Sequence, residues 1–194
     1  MLDSRDDKRI YDDTYDDADE PRPHTRARVA NAVAACFIML LFLVHACLGT
    51  LKLYWPEMPS SLEFIVWFGV AVIAIHIIIS IATTYEMWTD TVRPPSDRKK
   101  RHQILKWVTG VLLVCAIVVH QLCVAQLLPP ATVDMLTLPA LIVTAILLCW
   151  HLFVGAKSLT RDLNLRYTLR TPMRVVSIVI TVVVCVAVFL LIVR

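Results

Sequence analysis

Five long apolar stretches constrain this chain more than any motif in it. They lie near Val29–Leu51, Leu62–Tyr85, Ile104–Leu127, Thr137–Ala156 and Met173–Val193. Each approaches or exceeds the roughly 20 apolar residues that cross a bilayer core. Within hydrocarbon every backbone N–H and C=O must be satisfied inside the protein, so runs of this length are helices. The connections between them are short, which points to one bundle. Composition agrees: 58% of the 194 residues are hydrophobic, 4 are glycine, and mean hydropathy is +0.67, far more apolar than a soluble domain needs. The expected fold is all-α: an integral membrane five-helix bundle over residues 29–194, preceded by an acidic tail. No cleavable signal peptide is expected, because the first 28 residues are too polar to hold an apolar h-region.

Charge orients the bundle. Arg93, Arg98, Lys99, Lys100, Arg101 and Lys106 lie between the second and third stretches. Lys157, Arg161, Arg166, Arg170 and Arg174 lie between the fourth and fifth, and Arg26 and Arg28 precede the first. The other side has only Lys52 and Arg194. By the positive-inside rule the N-terminus and both basic loops are cytoplasmic and the C-terminus is outside. The net charge of +3 then reflects topology, and nucleic acid is not an expected partner. Residues 1–28, with nine acids from Asp3 to Glu20 and no apolar run, read as a disordered, solvated cytoplasmic tail.

All six cysteines (Cys36, Cys47, Cys115, Cys123, Cys149, Cys185) fall within the apolar stretches, with no CxxC or CxxCH spacing. Covalent c-type haem attachment is excluded by pattern, and no disulfide framework is expected. Buried small apolar packing is the plain reading of these thiols.

Six histidines occur. His24 in the tail and His102 in a basic loop read as solvated residues. His45, His76, His120 and His151 fall one in each of the first four stretches, where polar side chains are costly and usually functional. His45 and His76 are 31 residues apart, and so are His120 and His151. At ~1.5 Å rise per residue, His45 and His120 each lie about 24 Å from the inner surface, and His76 and His151 about 21 Å from the outer. In a core about 30 Å thick, this gives an outer and an inner level, each with one histidine from two helices. A bis-histidine haem needs two imidazole nitrogens on opposite faces of one iron. Pairing His45 with His120, and His76 with His151, supplies two such sites. The ring nitrogen turned away from iron would need an acceptor, such as a carbonyl one turn back or a Ser/Thr hydroxyl.

The plainer alternative is four unrelated core histidines bonded to backbone or water; matched depths on four successive helices argue against it. Zinc is disfavoured because no cysteine or carboxylate pairs with them by spacing. A proton relay would want acids within the spans, which are nearly absent. Gly49, Gly69, Gly110 and Gly155, one in each histidine-bearing stretch, read as points of close approach for a helix or a porphyrin.

These residues resemble a known family. The run Phe42-Leu43-Val44-His45 to Gly49, the run Trp107-Val108-Thr109-Gly110 to His120, and above all Trp150-His151-Leu152-Phe153-Val154-Gly155-Ala156-Lys157-Ser158-Leu159 are similar to the dihaem cytochrome b membrane-anchor subunit of succinate dehydrogenase and fumarate reductase, single-chain five-helix type. The resemblance covers about residues 26–194. It implies two haem b groups, the distal on His45 and His120 and the proximal on His76 and His151. It implies a flavoprotein (FAD) subunit and an iron–sulfur subunit at the cytoplasmic face, and electron exchange with quinone, menaquinone for this type. A homo-oligomer of the whole complex is compatible with it, as is a place in the cytoplasmic membrane as part of a respiratory chain. In some members a glutamate two residues before the last haem histidine moves protons; here that position is Cys149, so that route is unsupported. For the quinone, Glu63 is the candidate acid among Glu57, Glu63 and Asp134, with an interfacial solvated carboxylate as its plain alternative. Arg98, Lys99, Lys100, Arg101, Lys157 and Arg161 are candidates to pair with haem propionates or an acidic partner, or simply with lipid phosphate.

Two other readings stand beside this one. The chain could be the cytochrome b subunit of a hydrogenase, formate dehydrogenase or thiosulfate reductase. It could also be a haem-free transporter or scaffold. Transporters often break their helices at interior Gly or Pro, whereas prolines here fall at span ends or loops, with Pro139 placed in the first turn of the fourth stretch.

Overall fold

A computed structural model of the chain describes residues 26–55, 57, 62–91, 94–163, 175–176, 178–183, 185–186 and 188–190. The acidic stretch before Arg26, with His24, lies outside the described residues. Four long helices follow one another: α1 (Arg26–Tyr54), α2 (Leu62–Thr89), α3 (Asp97–Val124) and α4 (Pro130–Asp162). All four are long and apolar enough to cross a membrane, which makes this a multi-pass helical membrane protein. A shorter apolar helix, α5, covers Ile178–Leu190.

Most helices overrun the apolar stretches at their ends, because polar residues can continue a helix once it leaves hydrocarbon. α1 begins at Arg26, so the last three residues assigned to the tail are helical. α3 starts seven residues before Ile104. Ser96 caps it, its Oγ accepting from the Lys99 N–H at 3.4 Å, after two prolines that favour extended backbone. α4 starts at Pro130 rather than Thr137, with proline in the first helical position where its missing N–H costs nothing. Pro139 is therefore in the helix interior, not its first turn, and α4 runs on through it.

The turn from α3 to α4 is built by α3's own end. The Leu127 N–H reaches the Leu122 carbonyl at 3.0 Å, the Gln126 N–H reaches the Cys123 carbonyl at 3.1 Å, and Gln126 has φ 54°. This is the six-to-one and five-to-two pattern that closes helices through a left-handed residue.

The helices pack as two hairpins, α1 against α2 and α3 against α4, and among these four the remaining packing runs chiefly between α1 and α4. The core joins Ala32 and Met39 of α1, Leu113 of α3, and Leu148 and Leu159 of α4 to Ile180 of α5. Outward faces are apolar, as for Phe64, Trp67 and Phe153, and suit lipid. The cysteines are all free. Only Cys123 is buried; Cys47, Cys115 and Cys185 are exposed on the chain's outer faces, so the reading of all six as buried packing holds for one.

Candidate functional site

The site is assembled from one residue on each of four helices. His120 of α3 lies within electrostatic reach of His45 of α1. His151 of α4 lies within reach of His76 of α2 and of Lys106 on α3. Each couple thus draws one imidazole from each hairpin. Across the second hairpin His151 faces Thr109 and Gly110, ten residues before His120, or about 15 Å along the helix. Across the first, His76 sits beside the backbone of Asn31, fourteen residues before His45, or about 21 Å. The couples therefore occupy two levels, with His76 and His151 toward the end that carries Arg28, Lys99 and Lys106.

The level at the basic end opens on a cavity of about 690 Å³ between the hairpins, within the roughly 300–1,000 Å³ usual for ligand sites. His76 and His151 line it, with Asn31, Ser80 and Ser158 among its polar groups and Phe42, Leu113 and Leu148 among its apolar ones. Arg28, Lys99 and Lys106 also face it. Of the cations singled out in the sequence, Lys99 lines the cavity, whereas Arg98, Lys100 and Arg101 are exposed. Lys100 makes an ion pair with Asp97 at 3.7 Å. The side chains of Lys157 and Arg161 fall outside the described residues.

His151 is the best-held of the four imidazoles. Its Nδ1 is 3.0 Å from Thr109 Oγ1, and Thr109 is fully buried. A Cβ on Gly110 would come within 3.2 Å of His151 Cε1, so the ring packs flush on α3 because position 110 has no side chain. At Gly49, Gly69 and Gly155 an added Cβ would meet nothing within 4 Å. Close approach is thus realised at Gly110 alone; Gly155 instead borders the cavity.

His76 Nδ1 and His120 Nδ1 are buried with no hydrogen-bond partner, an arrangement that costs free energy in a folded chain. His45 is exposed, so the couple at the far end is the more open one. His102, read from the sequence as solvated, is half-buried and lines the cavity. Glu63 lies in the first turn of α2, at the end away from His76, and its side chain is outside the described residues. Among the described residues no group of three or more His, Cys, Asp or Glu gathers to hold a metal ion, so each level offers two protein donors and no more.

Thr109 and Asn31 were not among the sequence candidates. Thr109 stands in the Trp107–Gly110 run quoted for the resemblance, but nothing in the sequence ties its hydroxyl to His151. Asn31, a polar residue near the start of an apolar stretch, carried no comparable mark.

No protein-family model, no curated protein and no solved structure matches this chain.

Proposed function

We propose that the chain is the membrane-anchor cytochrome b subunit of a succinate:quinone oxidoreductase. It carries electrons between a cytoplasmic iron–sulfur and flavoprotein module and membrane quinone, through two bis-histidine b haems. What supports the reading is that four histidines, one on each of four apolar helices, fall near one another in two couples, each taking one imidazole from each hairpin.

The residues fit a haem at the basic end. Two imidazoles from different hairpins face one cavity, whose volume suits a large, mostly apolar ligand. Gly110 leaves the His151 ring room to lie flat on α3. When bound, haem supplies one-electron transfer, and the protein sets its position and polarity. Here His76 and His151 would hold it, Thr109 orients His151, and Phe42, Leu113 and Leu148 supply apolar walls. Lys99 and Lys106 place positive charge at the rim, where carboxylates are best met. His45 and His120 would hold the second group. With the positive-inside rule, the basic end is cytoplasmic and α5 completes a five-helix bundle with its C-terminus outside. Electrons would then run from the basic end, where the acidic face of an iron–sulfur partner can dock, toward a quinone in the lipid, with menaquinone the expected type and Glu63 the candidate acid at the far end.

The test is a reduced-minus-oxidised visible spectrum of the purified membrane protein, with haem quantified per chain. Two b haems are expected. His76→Ala or His151→Ala should each remove one, the same one, and leave the other. Two haems retained in either variant would refute the pairing. Solubilisation of native membranes should bring down a flavoprotein and an iron–sulfur protein; a molybdenum or nickel enzyme in their place would favour the other respiratory complexes.

A further inference from the structure

We propose that Thr109 is a positioning residue that fixes His151 as its Nδ1–H tautomer and so turns a bare Nε2 toward the cavity. The iron half of this inference rests on the haem reading above; the tautomer half does not.

A threonine hydroxyl has one hydrogen and two lone pairs. Thr109 Oγ1 lies 3.0 Å from the Leu105 carbonyl and 3.1 Å from the Lys106 carbonyl. Both are acceptors only, and the single hydroxyl hydrogen is directed into the helix groove between them. Toward His151 Nδ1, at 3.0 Å, the oxygen is left with a lone pair and accepts. The proton on that line therefore belongs to the imidazole. A neutral imidazole carries one N–H, so a proton on Nδ1 leaves Nε2 as the basic nitrogen. His151 lines the cavity, and a bare Nε2 there is the donor that iron requires.

Two further contacts hold the arrangement. Thr109 is wholly shielded from solvent, so water cannot compete for its lone pair. Gly110, the next residue, lets the ring approach to 3.2 Å of where a Cβ would stand, close enough for the hydroxyl to reach Nδ1. An acceptor on the distal nitrogen also makes the ligating nitrogen a stronger donor, which favours ferric over ferrous iron and lowers the reduction potential.

The tautomer is read on the unaltered full-length chain, purified without haem in detergent and labelled with ¹⁵N-histidine. The His151 signals should give a protonated Nδ1 and an unprotonated Nε2. Thr109→Ser, which keeps the hydroxyl, should preserve this pattern, and Thr109→Val should lose it. A protonated Nε2 in the unaltered chain would overturn the assignment while leaving the haem reading intact, and it needs no variant to fold. In the haem-loaded complex, Thr109→Val should raise the potential of one haem by the equivalent of about tenfold in its redox equilibrium, 59 mV for one electron, while Thr109→Ser leaves it in place. Two haems at unaltered potentials in Thr109→Val would also overturn it. Absence of haem from the native complex would instead sink the functional reading, and the iron half of this inference with it.

Discussion

At the scale of single residues, hydroxyls on apolar helices do most of the specific work. Thr84 is as fully used as Thr109. Its Oγ1 donates to the Ser80 carbonyl at 2.7 Å and accepts from Gln103 Nε2 at 2.9 Å and Trp107 Nε1 at 3.0 Å, which exhausts a hydroxyl's capacity. The two accepted bonds tie α2 to α3, across the seam between the hairpins. Hydrogen bonds between membrane helices average about 0.6 kcal/mol each. Thr84→Val, which keeps shape and removes both, should therefore destabilise the chain by about 1 kcal/mol, and Thr84→Ser by much less. Thermal unfolding in detergent measures both; equal stability of Thr84→Val and the parent would mean that Gln103 and Trp107 find other partners. The histidines were legible at this scale because a polar residue in an apolar run stands out. The threonines were not, since a hydroxyl can satisfy itself on its own helix, as Thr50 does on the Ala46 carbonyl at 2.8 Å.

Among elements, the hairpin α3–α4 turns through backbone hydrogen bonds made by α3's own end. Its weak point is Gln126, a side-chain-bearing residue at φ 54°. The left-handed conformation costs an ordinary residue about 1–2 kcal/mol, and glycine avoids that cost while losing about 0.5–1 kcal/mol of unfolded-state entropy. Gln126→Gly should thus stabilise the chain by up to about 1 kcal/mol, seen as a higher unfolding temperature at unchanged haem content. A lower temperature would show that the Gln126 side chain makes a contact worth more than the backbone relief. Pro139 teaches a second lesson about elements. A proline reads as a boundary in sequence, yet α4 passes through it, because neighbouring helices and local adjustment can re-satisfy the freed carbonyl in a membrane bundle.

For the whole molecule, the decisive feature is that packing within each hairpin is extensive while packing between hairpins rests mainly on α1 against α4. Under the proposed function each haem bridges the seam, since its two ligands come from different hairpins. Ligand binding to the assembled form alone then stabilises assembly by mass action. A chain cut by a protease site placed between Thr91 and Pro94 should remain one particle in detergent when loaded with haem. The same cut in a His76→Ala, His120→Ala chain, which has lost a ligand at each level, should release two hairpins on size-exclusion chromatography. Two cut halves that stay together without haem would place the cohesion in the α1–α4 core instead.

The apolar runs by themselves determined that the chain is helical and crosses a membrane, because hydrocarbon permits unpaired backbone no other form, and that requirement acts on each segment alone. Regular spacing also set four histidines at two depths, since depth along a helix is a count of residues. Which faces of the helices meet is a different matter: it depends on how six or more side chains fit at once. Only the tertiary structure could decide that the hairpins part to leave a cavity at the basic end, that Gly110 alone of the four glycines lies against a histidine, and that Thr109 supplies the hydroxyl for His151. Rotation about a uniformly apolar helix carries almost no signal in the chain's own letters.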